Sequence, residues 1–383
     1  MPGYSRHLHD NTLIMKTFFR RLHLWLSAPL GILITLICFS GAMLVFENDI
    51  TDLSLTGALR VDPQGRKALP LSELMARVSP YLPDSTSVNG VQISPDASQA
   101  YRFNISGRGH RALIVDQYTG EVKAMRQRNA FFRSMHSLHG ALLDKKHYAE
   151  GEIKWGQLFV GISTLLFLLA LISGIIVWWP RSRKALANSF KITARYGARR
   201  FWLSMHDALG VYALLFLLAM SITGLTWSFD WFGKGFYAII GASEPVGAHH
   251  GAPTRKSGKN MATDPECAPD YAAWQIAADG VAAANPGRTL TVKDGEVNVN
   301  LGSYGNARAA DSYKFDTNSG SITGVDRYQD SPRRKKAGGW VGAFHTGTWG
   351  ALVSKILYFL AALIGATLPL TGYWLWIKRL KAH

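Results

Sequence analysis

The sequence predicts a membrane protein: a four-transmembrane-helix bundle carrying two α+β modules on its outer side, with the second half of the chain repeating the first. Three observations predict it. Four apolar segments, each long enough to cross a bilayer, punctuate the 383 residues. Lys and Arg gather in the short segments between them and at both ends. The first and third apolar segments align on each other without a gap.

Taken in order, residues 1–21 hold Arg6, Lys16, Arg20 and Arg21 and read as a cytoplasmic N-terminus. Residues 22–46, "LHLWLSAPLGILITLICFSGAMLVF", contain no Asp, Glu, Lys or Arg and make the first span. "MKTFFRR" from Met15 resembles the basic start of a signal peptide, but the apolar run exceeds the roughly 7–15 residues of a signal core and reads as an anchor. Residues 47–158 form an outer segment. In it "PLSELMARVSPYL" reads as an amphipathic helix opened by a Ser-x-x-Glu-like cap around Leu71 to Glu73, and "VNGVQIS", "AYRFNIS" and "ALIVDQYTGEVKAM" read as strands.

Residues 159–179 are the second span, and 180–207 a basic cytoplasmic loop in which "RSRKALANSFKITARYGARRFWLSMH" carries seven Lys or Arg and no acid. Residues 208–229 are the third span. The outer segment 230–350 again reads as a helix, "DYAAWQIAADGVAAA", followed by strands in "RTLTVKDGEVNVNL" and "DSYKFDTNSGSITGV". Residues 351–377, whose single charge is Lys355, form the fourth span, and 378–383, "KRLKAH", the cytoplasmic tail. The two long connections then face the periplasm of a bacterial inner membrane. Much of the net charge of +16 is therefore topology, and no nucleic-acid partner is needed to explain it. "SPRRKK" at 331–336 falls on the outer side and reads as a solvated charge run. Cys38 lies inside a span and Cys267 in an outer segment, which argues against an intrachain disulfide, and no CxxCH offers covalent haem attachment.

The repeat extends beyond the first alignment. Residues 22–46 on 205–229 place His23 on His206, Ser40-Gly41 on Thr223-Gly224 and Phe46 on Phe229. "LISGIIVWWPRSRK" on "PLTGYWLWIKRLK" places Ser173-Gly174 on Thr371-Gly372 and Trp178 on Trp376. "DQYTGEV" (116–122) matches "DTNSGSI" (316–322), each a strand, a turn with Gly at the position needing positive φ, and a returning strand.

Of twelve histidines, five sit at span ends. His23 and His206 stand at the cytoplasmic side in equivalent positions; His136 and His139 in "RSMHSLHGALL" precede the second span, and His345 in "GAFHTGTWGAL" precedes the fourth. His7, His9, His110, His147, His249, His250 and His383 read as polar-loop or surface residues. That leaves one candidate ligand pair at each face: His23 with His206, and His139 or His136 with His345. A structural zinc site wants four ligands and none of the further Cys, Asp or Glu are in register. Two axial nitrogens and an apolar slot suit haem iron, and bis-imidazole ligation leaves no open position, which fits electron transfer better than oxygen activation.

His23 to Gly41 and His206 to Gly224 are both 18 residues apart. That is about five turns, so each glycine shares its histidine's face about 27 Å further out. The expectation is that Gly41 and Gly224 clear room for a second macrocycle at the outer face; close helix packing through small residues is the competing reading.

These stretches together resemble the PepSY-associated transmembrane proteins, a family of iron-regulated membrane proteins. The resemblance is carried by "RRLHLWLSAPLGILITLICFSGAMLVF", the strand-turn motifs "VDQYTGEV" and "FDTNSGSI", the histidine motifs "SLHGALL", "SMHDALG" and "AFHTGTWG", and the Trp-rich basic exits "VWWPRSR" and "LWIKR". It implies two PepSY-like periplasmic modules. It also implies a reductase with two b-type haems that carries electrons across the bilayer to a periplasmic ferric siderophore and releases Fe(II), with His23, His206, His139 and His345 as iron ligands. No strand-linked GxGxxG marks a nicotinamide or flavin site, so membrane quinol or a separate cytoplasmic reductase is the expected donor. The alternative is a non-redox, membrane-anchored PepSY binding or regulatory protein. A transporter ranks lower, since the spans lack paired acids near the midplane.

Overall fold

The computed structural model describes residues 3–83, 86–107, 111–149, 151–180, 182–243, 269–302, 305–306 and 308–381, with side chains from residue 15. His110, His249, His250, Cys267 and His383, and the side chains of His7 and His9, lie outside that description. The helices are α1 (Gly3–Ser27), α2 (Gly31–Val45), α3 (Glu47–Ser54), α4 (Thr56–Leu59), α5 (Leu71–Val78), α6 (Ala130–Ala141), α7 (Trp155–Trp178), α8 (Arg183–Ser189), α9 (Gly197–Ser228), α10 (Asp230–Ile239), α11 (Tyr271–Ala284), α12 (Arg333–Thr346) and α13 (Ala351–Leu380). The strands are β1 (Val88–Ile93), β2 (Tyr101–Ile105), β3 (Ala112–Val115), β4 (Val122–Arg126), β5 (Leu290–Lys293), β6 (Glu296–Asn300), β7 (Ala310–Phe315) and β8 (Ile322–Asp326). The chain divides into two compact units, one of residues 1–46, 130–239 and 341–383, the other of residues 47–129 and 240–340.

The first unit is helical. Trp155–Trp178, Gly197–Ser228 and Thr348–Leu380 are each long and apolar enough to cross a membrane, and Met15–Ser27 with Gly31–Val45 makes a fourth if that bent pair crosses as one. The unbroken first span expected over 22–46 is corrected: the two helices meet at 68°. Pro29 is the cause, because it lacks the N–H of the helical ladder and its ring collides with the preceding turn. The Tyr373 hydroxyl of α13 donates to the Ala28 carbonyl at this break. By contrast α13 runs continuously through Pro369, with Thr35 donating to the Ala366 carbonyl at 3.0 Å.

The helix α9 begins at Gly197, ahead of the residue 208 at which the third span was expected to start, and His206 lies inside it. Arg199 and Arg200 in its first turn hide that start from a hydropathy reading. Neighbours around the unit are α1 with α7, α7 with α9, α9 with α13, and α13 with α2, while α6 packs on α2 and α7. Leu171, Ala213, Leu217, Ala361 and Leu368 form the buried centre.

The second unit is one eight-stranded antiparallel sheet in the order β4-β3-β2-β1-β5-β6-β7-β8. One α+β module per half was expected; each half supplies a four-stranded meander, and the two meanders join edge to edge, with Val91 opposite Val292 and Gln92 opposite Thr291. An isolated meander leaves its first strand with unpaired N–H and C=O groups, and pairing β1 with β5 satisfies both edges at once.

The two helices share a single core as well: Leu71, Leu74 and Val78 of α5 and Trp274, Ala277 and Val281 of α11 lie in one cluster with strand residues of both halves. The Leu71 amide, expected to be served by a local cap, donates to Gln275 Oε1 of α11 at 3.1 Å, and Glu73 pairs with Arg77 at 2.7 Å instead. The matching turns are as read: Gly120 has φ 72° and Gly320 φ 71°. Asp116 accepts from the Tyr118 and Thr119 amides at 2.8 and 3.3 Å, and Asp316 from the Asn318 and Ser319 amides at 3.1 and 2.8 Å, which ties each turn the same way.

Trp274 is 1% exposed at the centre of this shared core. Trp274→Ala is expected to cost about 4 kcal/mol through lost burial and a residual cavity. The check is the purified chain's thermal melt followed by circular dichroism, in which the sheet signal should be lost at lower temperature.

Candidate functional site

Both histidine pairs expected from the sequence come together, all four rings within the helical unit. His23 is carried on α1, which lies against α7. Its Nδ1 lies 2.9 Å from the Ala170 carbonyl and 3.1 Å from Ser173 Oγ. Gly174, the next residue, leaves space that the ring fills: a Cβ there would stand 3.3 Å from His23 Cε1. His206 of α9 meets α13 in the same manner, with Nδ1 2.7 Å from Thr371 Oγ1 and Gly372 beneath the ring at 4.0 Å. The rings of His23 and His206 face each other with centroids 6.4 Å apart and planes at 85°.

The second pair is built from the short helices α6 and α12. His139 Nδ1 lies 2.9 Å from the Ile37 carbonyl of α2. His345 Nδ1 lies 3.1 Å from the Met220 carbonyl and 3.1 Å from Thr223 Oγ1 of α9. Their centroids are 6.0 Å apart with planes at 57°. Trp227 packs edge-on against His345 at 4.8 Å and 72°. Burial lowers both imidazoles from the ordinary histidine range, His345 to about 4, so both stand neutral near pH 7. His136, the other candidate on α6, is exposed, and it is His139 that faces His345.

Gly41 and Gly224 do not stand open. A Cβ on Gly41 would lie 2.8 Å from His139 Cε1, and one on Gly224 would lie 3.2 Å from His345 Cε1. The clearance expected for a macrocycle is taken up by the imidazoles of the second pair. Helical spacing identifies a face without a side chain but not which neighbour fills it. What sequence reasoning missed is that Ser40-Gly41, Ser173-Gly174, Thr223-Gly224 and Thr371-Gly372 each receive a histidine. The signal was present, because the repeat alignment places Ser40-Gly41 on Thr223-Gly224 and Ser173-Gly174 on Thr371-Gly372.

The spacing decides what such pairs can hold. Two imidazoles ligating one ion at about 2.0 Å, each ring centre about 1.1 Å behind its nitrogen, stand about 6.2 Å centre to centre. The observed 6.4 and 6.0 Å bracket that value. Among the described residues no three or more His, Cys, Asp or Glu gather into a metal cluster, so each pair offers two nitrogens and not a four-ligand cage.

A set of long apolar helices carrying two histidine pairs, joined in sequence to an antiparallel sheet unit, defines a multi-helix membrane protein with an α+β part. The chain belongs to the family described as the PepSY-associated TM region, whose model matches residues 20–379. No curated protein matches it.

Proposed function

We propose that the protein is a di-haem reductase of the bacterial inner membrane, with four spans arranged as an internal two-fold repeat and both termini cytoplasmic. In this reading it passes electrons from membrane quinol or a cytoplasmic reductase to a ferric siderophore in the periplasm. The observation that carries the reading is the geometry of the two pairs, each with Nδ1 occupied by a helix and the rings separated by the span of a bis-imidazole iron. Bound between each pair, b-type haem supplies one-electron transfer. His23 and His206 serve the cytoplasmic side, and His139 and His345 the periplasmic side.

The residues of the chain supply position and dryness. Leu171, Leu217 and Leu368 pack the centre of the helical unit and exclude water from it. The anchored imidazoles keep their orientation as the charge at the site changes, so little reorganisation is needed. One electron delivered to a periplasmic ferric chelate converts its Fe(III) to Fe(II), a softer ion held less firmly by hard oxygen donors. Arg20 and Arg21, exposed on α1 three and two residues before His23, suit the propionates of the cytoplasmic-side group.

The test is the visible spectrum of the purified chain, followed by reduction assays in proteoliposomes against a panel of ferric chelates. A Soret band, an α-band that appears on reduction, two haems per chain and chelate reduction are expected. A colourless protein would sink this reading and return the chain to a non-redox, membrane-anchored PepSY binding or regulatory role.

A further inference from the structure

Three of the four ligand candidates meet their neighbouring helix through a hydroxyl as well as a carbonyl, and the hydrogen count at those contacts is constrained. A carbonyl has no proton to give, and a Ser or Thr hydroxyl has one. In each case that proton has a partner in its own helix: Ser173 Oγ lies 2.9 Å from the Ala170 carbonyl, Thr371 Oγ1 lies 2.8 Å from the Leu368 carbonyl, and Thr223 Oγ1 lies 2.6 Å from the Ala219 carbonyl. With its proton so directed, each hydroxyl presents a lone pair to the imidazole. Nδ1 of His23, His206 and His345 then faces acceptors and must carry the hydrogen. A neutral ring protonated at Nδ1 has a bare Nε2.

Resting on the reading of these histidines as iron ligands, we infer that Ser173, Thr223 and Thr371 are positioning residues. Each fixes its imidazole in the Nδ1–H tautomer, so that Nε2 is the ligating nitrogen. The hydrogen bond from Nδ1–H also raises the donor strength of Nε2, which favours the ferric state and lowers the potential of the iron that it holds. The fourth ligand supplies an internal contrast. His139 reaches the Ile37 carbonyl alone, at 2.9 Å, and the Ser40 hydroxyl is turned onto the Leu36 and Ile37 carbonyls at 2.7 and 3.0 Å. Ser40 therefore occupies the same place in its dipeptide without bonding to the ring.

The experiment compares Thr371→Val, which keeps the side-chain volume and removes the acceptor, with Thr371→Ser, which restores the hydroxyl, and with Ser40→Ala. Haem content, midpoint potentials and ferric electron-paramagnetic-resonance spectra are read on the purified holoprotein, and histidine ¹⁵N shifts on haem-free protein. Thr371→Val is expected to raise the potential of one haem of the two, or to release that haem; Thr371→Ser should return it to the wild-type position, and Ser40→Ala should leave both potentials in place. In the haem-free protein the His206 signals should show a protonated Nδ1 and a bare Nε2. Unchanged potentials and spectra in Thr371→Val overturn the inference, and so does the opposite tautomer at His206. A wild type that binds no haem overturns the parent reading instead, and the nitrogen shifts still decide the tautomer.

Discussion

If the protein is the di-haem reductase proposed above, His206→Ala is expected to release one of its two haems and to stop electron transfer across the membrane, lowering ferric-chelate reduction by more than about 100-fold. His23→Ala should do the same, because its ring is the other member of the pair, 6.4 Å away. His345→Ala and His139→Ala should each release the second haem and leave the first. A truncated ligand leaves its partner imidazole in place on its own helix, so the fold is retained while one coordination bond is lost. His136→Ala is the control: that residue is exposed one turn from His139 and should keep both haems. Haem per chain, measured on detergent-purified variants, checks the series. Retention of both haems in His206→Ala would falsify the two-site arrangement.

How far this was legible in the sequence differs between the parts. Both histidine pairs could be read, because the repeat places His23 and His206 at equivalent positions and the other candidates just ahead of the even spans. The choice of His139 over His136 could not, since both precede the second span and only the phase of α6 against α2 turns one ring inward.

The strands and their Gly120 and Gly320 turns were legible from alternation and turn chemistry, but the joining of β1 to β5 was not. A strand's sequence specifies its buried face, and both an edge strand and a central strand satisfy that pattern. The bend at Pro29 was written in the residue itself, and hydropathy averaging conceals it because the flanking residues are uniformly apolar. The glycine argument expected a macrocycle where the structure places imidazoles. It followed one helix outward from its own histidine, whereas the volume left by each glycine is filled by a histidine from another helix of the same half.

That reassignment carries the second large expected effect, a graded one. An added Cβ would meet the facing Cε1 at 2.8 Å for Gly41, 3.2 Å for Gly224, 3.3 Å for Gly174 and 4.0 Å for Gly372. The first is closer than carbon atoms approach without movement, and the last is ordinary contact. The obstructing atom is the end of a side chain, so the collision is relieved by rotating the ring, which breaks its Nδ1 hydrogen bond and turns Nε2 away from the facing imidazole. On the proposed di-haem reading, Gly41→Ala is accordingly expected to release most of the haem held by His139 and His345 with little change in the thermal melt. Gly224→Ala and Gly174→Ala should weaken the haem of their own pair in part, and Gly372→Ala should retain both. If these glycines acted only as small residues for close helix packing, the substitutions would lower the melting temperature together and without regard to the imidazole distances. Haem retention ranked against melting temperature across the four variants separates the two accounts. Retention in Gly41→Ala alongside loss in Gly372→Ala would reverse the order and break the link between imidazole contact and haem binding.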